Sequence, residues 1–214
     1  MRPVRAVAWD VDGTLVDSEP LHERCLLDVC AALGAEVKDL GNDRFRGIHM
    51  ADIWLQLRHR FPPSITEGEW SGRIRALYVA AADTLCPLPG ALDAIAALKA
   101  AGVRQVCVSN SERDVVDANL AALGVLPMID FSISVDDVAS GKPDPEPYRI
   151  AAERLGLAPG EVAAVEDSAT GAASARAAGL IVYGVLPRGE IPGAHLTVPT
   201  IADLVTHLLP PAGR

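Results

Sequence analysis

The sequence predicts an α/β fold: a doubly wound parallel sheet flanked by helices, with a small α-helical domain inserted after the first strand. Three observations carry this expectation. Short, β-rich apolar runs with little polar alternation recur along the chain, as in strands buried on both faces of a parallel sheet. Helical patterns lie between those runs. A single long stretch near the start is helical throughout, with no strand pattern.

The first strand is expected in "VRAVAWD" (4–10). The segments "PLHERCLLDVCAALG" and "MADIWLQLRHRF" then read as amphipathic helices, "PPS" as a break, and "EWSGRIRALYVAAADTL" as a third helix. This places a helical domain at 17–87, with the two prolines of "CPLPG" marking the return, and leaves 1–16 and 88–214 to form the α/β core. In the core, "VRQVCVSN" (103–110), "EVAAVED" (161–167) and "LIVYGV" (180–185) read as strands. Between them "ALDAIAALKAAG", "ERDVVDANLAALG", "PEPYRIAAERLG" and "SATGAASARAAG" read as helices, each closing at a glycine suited to the residue after the C-cap.

With 214 residues, half of them hydrophobic, the chain can bury one core and a modest accessory domain. Its formal net charge of −9 argues against nucleic acid or an anionic membrane as the main partner, since both require a basic surface. A small-molecule partner is expected, with the protein a monomer or weak dimer. No window approaches the roughly eighteen apolar residues of a membrane span, and "MRPVRAVAWD" runs into a strand rather than a signal peptide, so a cytoplasmic location is expected. Cys25, Cys30, Cys86 and Cys107 form no CxxC pair and sit among apolar residues, which reads as reduced core thiols.

In a doubly wound sheet, ligands gather outside the carboxyl ends of the strands, and the chemistry-bearing residues fall there. Asp10 and Asp12 follow the first strand, Ser109 and Asn110 the second, and Glu166 and Asp167 a later one. Two carboxylates two residues apart at a strand's end tend to point to one side, and such charge must be offset: one pKa is pushed up, or the pair shares a cation, of which Mg²⁺ is the hard ion that accepts carboxylate, carbonyl, water and phosphate oxygens. An EF-hand is excluded, because glycine stands fourth from Asp10 rather than sixth and Leu21 occupies the twelfth place. Asp17 or Ser18 is accounted for as a helix cap, and Ser111, Glu166 and Asp167 also stand where helices begin. Lys142, in the proline-rich "SGKPDPEPY", would by itself read as a solvated charge.

Taken together, "DVDGTLVDSE", "VSNS", Lys142 of "GKPDP" and "VEDSATG" resemble, in order, the four motifs of the haloacid dehalogenase superfamily. The helical insertion after the first motif is similar to the cap of its β-phosphoglucomutase and phosphoglycolate phosphatase branch. The resemblance implies a Rossmann-like core with a mobile cap and a Mg²⁺-dependent phosphatase acting on a small phosphorylated metabolite. It implies Asp10 as a nucleophile that forms an aspartyl-phosphate and Asp12 as general acid and base. It assigns Mg²⁺ to the Asp10 carboxylate, the Asp12 carbonyl and Asp167 with Glu166 assisting, and the phosphoryl oxygens to Ser109, Asn110 and Lys142. The dehalogenases lack the aspartate that here is Asp12, which directs the expectation to phosphate esters.

In the expected cap, His22 matches a hinge histidine of β-phosphoglucomutase, and Arg46 and Gly47 lie in "FRGIHMADIW", which resembles a cap segment of that enzyme. Met50 aligns where that family carries an arginine, and Ile74 falls near its cap lysine with Arg73 and Arg75 flanking it, which weighs against a mutase. A phosphomutase remains the alternative enzyme, and a non-catalytic module the alternative of another class. Arg44, His49, Arg58 and Arg73 are further candidates to meet substrate, whereas Trp54 and Trp70 read as core.

Overall fold

The computed structural model describes residues 4–37, 45 and 50–209. Its strands are β1 (Ala6–Trp9), β2 (Arg104–Val108), β3 (Phe131–Ile133), β4 (Val162–Glu166), β5 (Ile181–Val185) and β6 (Leu196–Val198). Its α-helices are α1 (Glu19–Ala32), α2 (Met50–Leu57), α3 (Glu67–Ala80), α4 (Ala91–Ala100), α5 (Arg113–Ala122), α6 (Glu146–Leu155), α7 (Ala169–Ala177) and α8 (Ile201–Leu208). The chain divides into two compact units, one drawn from Met1–Asp17 and Cys86–Arg214, the other from Ser18–Leu85.

In the first unit the six strands pair in parallel in the order β3-β2-β1-β4-β5-β6. The strands expected from the long apolar runs are β1, β2, β4 and β5. The two edge strands, β3 and β6, have three residues each, too few to display a periodic pattern. β1 lies between β2 and β4, with Trp9 opposite Cys107 on one side and Val165 on the other. This register brings the residues that follow the three strands side by side, next to the point where the strand order reverses.

Side chains alternate between the two faces of the sheet. Ala6, Ala8, Val106, Val108, Val162 and Ala164 pack with Tyr148, Ala151, Ala172 and Ala175 of α6 and α7. Val7 and Trp9 point the other way, toward the side where α4 packs on β2 and α8 on β5 and β6. There the Trp9 indole donates to Gln105 Oε1 at 3.0 Å and Gln105 Nε2 donates to the Ile95 carbonyl at 2.9 Å, so a fully buried amide is satisfied on both ends. The glycines expected to close four helices, Gly102, Gly124, Gly156 and Gly179, all have positive φ.

Where the chain leaves β1, Val16 forms an antiparallel bridge with Pro87, the Asp17 N–H donates to the Cys86 carbonyl, and the Leu88 N–H to the Leu15 carbonyl. Outgoing and returning segments therefore run side by side. Ser18 stands at the N-cap of α1, but its side chain makes no capping bond, and Asp17 lies one residue before the N-cap. Pro20 in the first turn removes one of the N–H groups a cap would serve.

The second unit packs α1 on α3 around Cys25, Cys30, Ile74 and Tyr78. Trp54 stacks on Phe61 and tilts against Trp70, both at centroid distances of 5.5 Å, which makes the two tryptophans core residues as expected. Three cysteines are buried thiols; Cys86 is exposed, against expectation, because it lies in the returning segment outside both cores. No helix among the described residues is long and apolar enough to cross a membrane.

Candidate active site

The loop after β1 is wound tightly. The N–H groups of Thr14, Leu15 and Val16 all point to the Val11 carbonyl, and the Gly13 N–H donates to the Val16 carbonyl. Gly13 has φ of +80°, and a Cβ there would stand 2.2 Å from Asp167 Oδ2, so both the turn and the close approach require glycine. Asp10, 7% exposed, is anchored through its N–H to the Val165 carbonyl. Its carboxylate accepts from Lys142 Nζ at 2.7 Å on Oδ1 and from the Thr14 hydroxyl at 2.9 Å on Oδ2.

Lys142 reaches this point from the loop before α6. Its ammonium donates to Asp10 Oδ1 at 2.7 Å, Glu166 Oε1 at 2.7 Å and the Val108 carbonyl at 2.8 Å, which uses its three N–H bonds. Asn110, expected at the phosphate, instead holds this loop: its side chain accepts from the Lys142 N–H at 2.7 Å and donates to the Lys142 carbonyl at 3.0 Å. Gly141 permits that pairing, because a Cβ there would lie 2.8 Å from Asn110 Oδ1.

Glu166 ends β4 fully buried, and its Oε1 also accepts from the Tyr148 hydroxyl. A Cβ on Gly171 would overlap Glu166 Oε2 at 1.9 Å, so α7 carries glycine where the carboxylate passes. Asp12 is half-buried and turned to the other side, toward β2 and α5. It accepts from Ser109 Oγ at 3.2 Å, Ser111 Oγ at 2.9 Å and Asn119 Nδ2 at 3.0 Å.

Oxygens of Asp10, Glu166 and Asp167 lie within 4.8 Å of one another. They are three carboxylates beside one lysine. Burial pushes Glu166 up to about 8 despite Lys142, and burial followed by the Asp10 charge pushes Asp167 up to about 7. Burial also raises Asp10 against the opposing pull of Lys142. Burial alone would lower Lys142, but Asp10 and Glu166 outweigh it and hold the lysine charged well above its ordinary range. This surplus of buried acid, made of hard oxygen donors, fits a divalent cation such as Mg²⁺.

The structure thus gathers Asp10, Asp12, Ser109, Asn110, Lys142, Glu166 and Asp167 at the carboxyl ends of β1, β2 and β4. The Asp12 carboxylate stands outside the metal-competent cluster. His22 lies in the second unit, its ring stacked on Tyr78 at 4.1 Å. Arg44, Arg46, Gly47 and His49 fall outside the described residues. Arg58 and Arg73 are exposed, Arg73 being paired with Glu69 on the same helix.

Four contributors escaped the sequence reading. Thr14 lies inside "DVDGTLVDSE", where its residue type signals no role of its own, and Ser111 has the residue type of a helix cap, although the N-cap of α5 is Glu112. Asn119 left one signal, an amide within the apolar stripe of α5. Tyr148 left none, since a tyrosine on the buried side of α6 looks like any other core residue.

The family model described as haloacid dehalogenase-like hydrolase matches residues 4–179. Hexitol phosphatase A of Escherichia coli (strain K12) is 31% identical over 204 residues, covering 94% of this chain and 89% of that protein. A plasmid-encoded phosphoglycolate phosphatase of Cupriavidus necator is 32% identical, covering 97% of this chain and 94% of that protein. Among solved structures, CbbY from Rhodobacter sphaeroides in complex with phosphate has a TM-score of 0.83 and 28% identity, covering 94% of this chain and 96% of that one.

Proposed function

Since the chain belongs to the haloacid dehalogenase-like hydrolases and is a phosphoric monoester hydrolase, we propose that it is a Mg²⁺-dependent phosphatase acting through an aspartyl-phosphate on Asp10. Its substrate is a small phosphorylated metabolite, a sugar phosphate or a phosphoglycolate-like acid. The observation that carries this reading is the pairing of Asp10, held by Lys142 and Thr14 beside a cluster of acids, with Asp12, held apart by the segment after β2.

The division of labour follows from these surroundings. Thr14 and Lys142 hold the two oxygens of Asp10 in place, and an Asp10 oxygen attacks phosphorus while the bond to the leaving alcohol breaks. Asp12 gives its proton to the departing oxygen. Water then attacks the aspartyl-phosphate, its proton passes to Asp12, and phosphate leaves as the Asp10 carboxylate is restored. Unit charges of like sign 4 Å apart repel by about 4 kcal/mol at an effective dielectric near 20, so uncompensated carboxylates would turn away a phosphate dianion. Lys142 offsets part of that charge. When bound by Asp10, Asp167 and the Asp12 carbonyl, with Glu166 in support, Mg²⁺ would supply the rest of the positive charge for the phosphoryl oxygens.

The mutase alternative is weakened by Ile74, which falls near that family's cap lysine, with Arg73 and Arg75 on either side of it, and is 3% exposed, inside the helical core. The test is phosphate release across sugar, polyol, nucleotide and two-carbon acid phosphates, with and without Mg²⁺. Mg²⁺-dependent release that disappears in Asp10→Asn is expected. Folded protein that releases none from the whole panel sinks the reading.

A further inference from the structure

Helix α5 buries an amide where its neighbours are apolar. Asn119 is fully enclosed, as are Val116 and, nearly so, Val115 and Leu120 of the same helix. Asparagine is a mediocre helix former, and a buried amide is costly unless its polar atoms are bonded. One of its partners is a carboxylate 107 residues away in the chain: Asn119 Nδ2 donates to Asp12 Oδ1 at 3.0 Å.

The other oxygen of Asp12 is held separately. Ser111 Oγ at 2.9 Å and Ser109 Oγ at 3.2 Å both donate to Oδ2. Ser109 Oγ in turn accepts the Ser111 N–H at 3.0 Å, so the two serines form one linked clamp. A clamp on one oxygen leaves the carboxyl free to turn about its last bond, a torsion whose energy well is broad. A donor on the second oxygen, rooted in a buried helix, fixes the plane.

We propose that Asn119 is a positioning residue for Asp12, setting the rotation of the carboxyl group that protonates the leaving group. This inference rests on the phosphatase reading and refines it. In the step concerned, the P–O bond to the leaving alcohol breaks, the phosphoryl group passes to Asp10, and the Asp12 proton passes to the departing oxygen. A misaligned acid costs most when the leaving oxygen is strongly basic, and little when the leaving group departs readily as an anion. A residue that only supports the fold slows both kinds of substrate alike.

The experiment compares kcat/KM for phenyl phosphate and 4-nitrophenyl phosphate, which reports the steps through leaving-group departure. It uses the full chain with Mg²⁺ as wild type, Asn119→Leu and Asp12→Asn, each checked for folding by its denaturant midpoint. The phenyl to 4-nitrophenyl ratio is expected to fall at least about threefold in Asn119→Leu and further in Asp12→Asn. A folded Asn119→Leu protein whose ratio falls by less than that overturns the proposal. Should Asn119→Leu fail to fold, Asn119→Ala, which removes the donor without adding bulk, is judged by the same ratio. An unchanged ratio in Asp12→Asn with phosphate still released overturns the acid role of Asp12 and the proposal with it. Silence of the wild type on both esters and on the whole metabolite panel overturns the phosphatase reading itself; where only metabolites are turned over, the same ratio is read from two panel esters whose leaving alcohols differ in basicity.

Discussion

Lys142 Nζ lies 2.7 Å from Glu166 Oε1, with the lysine side chain 4% exposed and the glutamate 0%. Removing one partner of such a pair strands the other charge in the interior, which costs about 3–5 kcal/mol. Lys142→Met is therefore expected to abolish turnover and to lose stability at pH 8, by less than that full amount because Glu166, at about 8 beside the lysine, rises further without it and takes up a proton. The loss should be smaller at pH 5, where Glu166 takes up a proton and no longer buries a charge. Urea unfolding at the two pH values measures this, and equal losses at both would contradict it.

The same carboxylates make stability depend on pH in a definite direction. Glu166 and Asp167 titrate near 8 and 7 in the folded chain, above the roughly 4 of an unfolded carboxyl. Between those limits the native state binds more protons than the unfolded one, so stability present below pH 4 is lost as pH rises through 7 and 8. The metal-free protein should show a falling Tm from pH 5 to 8.5, and Mg²⁺ should raise Tm more at pH 8 than at pH 5. Calorimetry with and without Mg²⁺ decides; a Mg²⁺ effect larger at pH 5 would count against the assignment.

Gly13 combines a left-handed backbone with a contact no side chain could share. Gly13→Ala is expected to cost about 1–2 kcal/mol from the backbone alone. It should also displace Asp167, whose Oδ2 would lie 2.2 Å from the new Cβ. Weaker Mg²⁺ binding in a titration calorimeter, together with a loss of activity of about tenfold to a hundredfold, is the expected outcome.

Asn110 separates two ways of serving the same site. Bonded twice to the Lys142 main chain, it places the lysine. Asn110→Ala should lower kcat by about tenfold with little change in KM, and cost about 1–2 kcal/mol in stability for the two lost bonds. A KM that rises while kcat holds would instead mark direct contact between the side chain and substrate.

Much of this architecture was legible because the central strands carry their burial openly. β1 and β4 are apolar on both faces, and the acids stand at their carboxyl ends, where a parallel sheet concentrates polar function. The edge strands β3 and β6 were not legible, since three residues display no period. Nor was the work of Asn119, Tyr148 and Asn110, because each acts on a residue distant in the chain, and only folding reveals the pairing. Asn110 is expected at the phosphate from its place after β2, and the two bonds of its amide to the Lys142 main chain are visible only in the fold. Cys86 was read by its apolar neighbours, which in this segment line no core.

The bridge between Val16 and Pro87 has an evolutionary meaning. Because the departing and returning segments are already fastened to each other, the entropic cost of closing whatever loop lies between them grows only slowly with its length. An ancestral gene could thus exchange, shorten or expand that inserted module while β1 kept its neighbours and its acids. Change within the inserted stretch and change around the acids can then proceed on separate parts of one gene, divided where the two segments are bonded together.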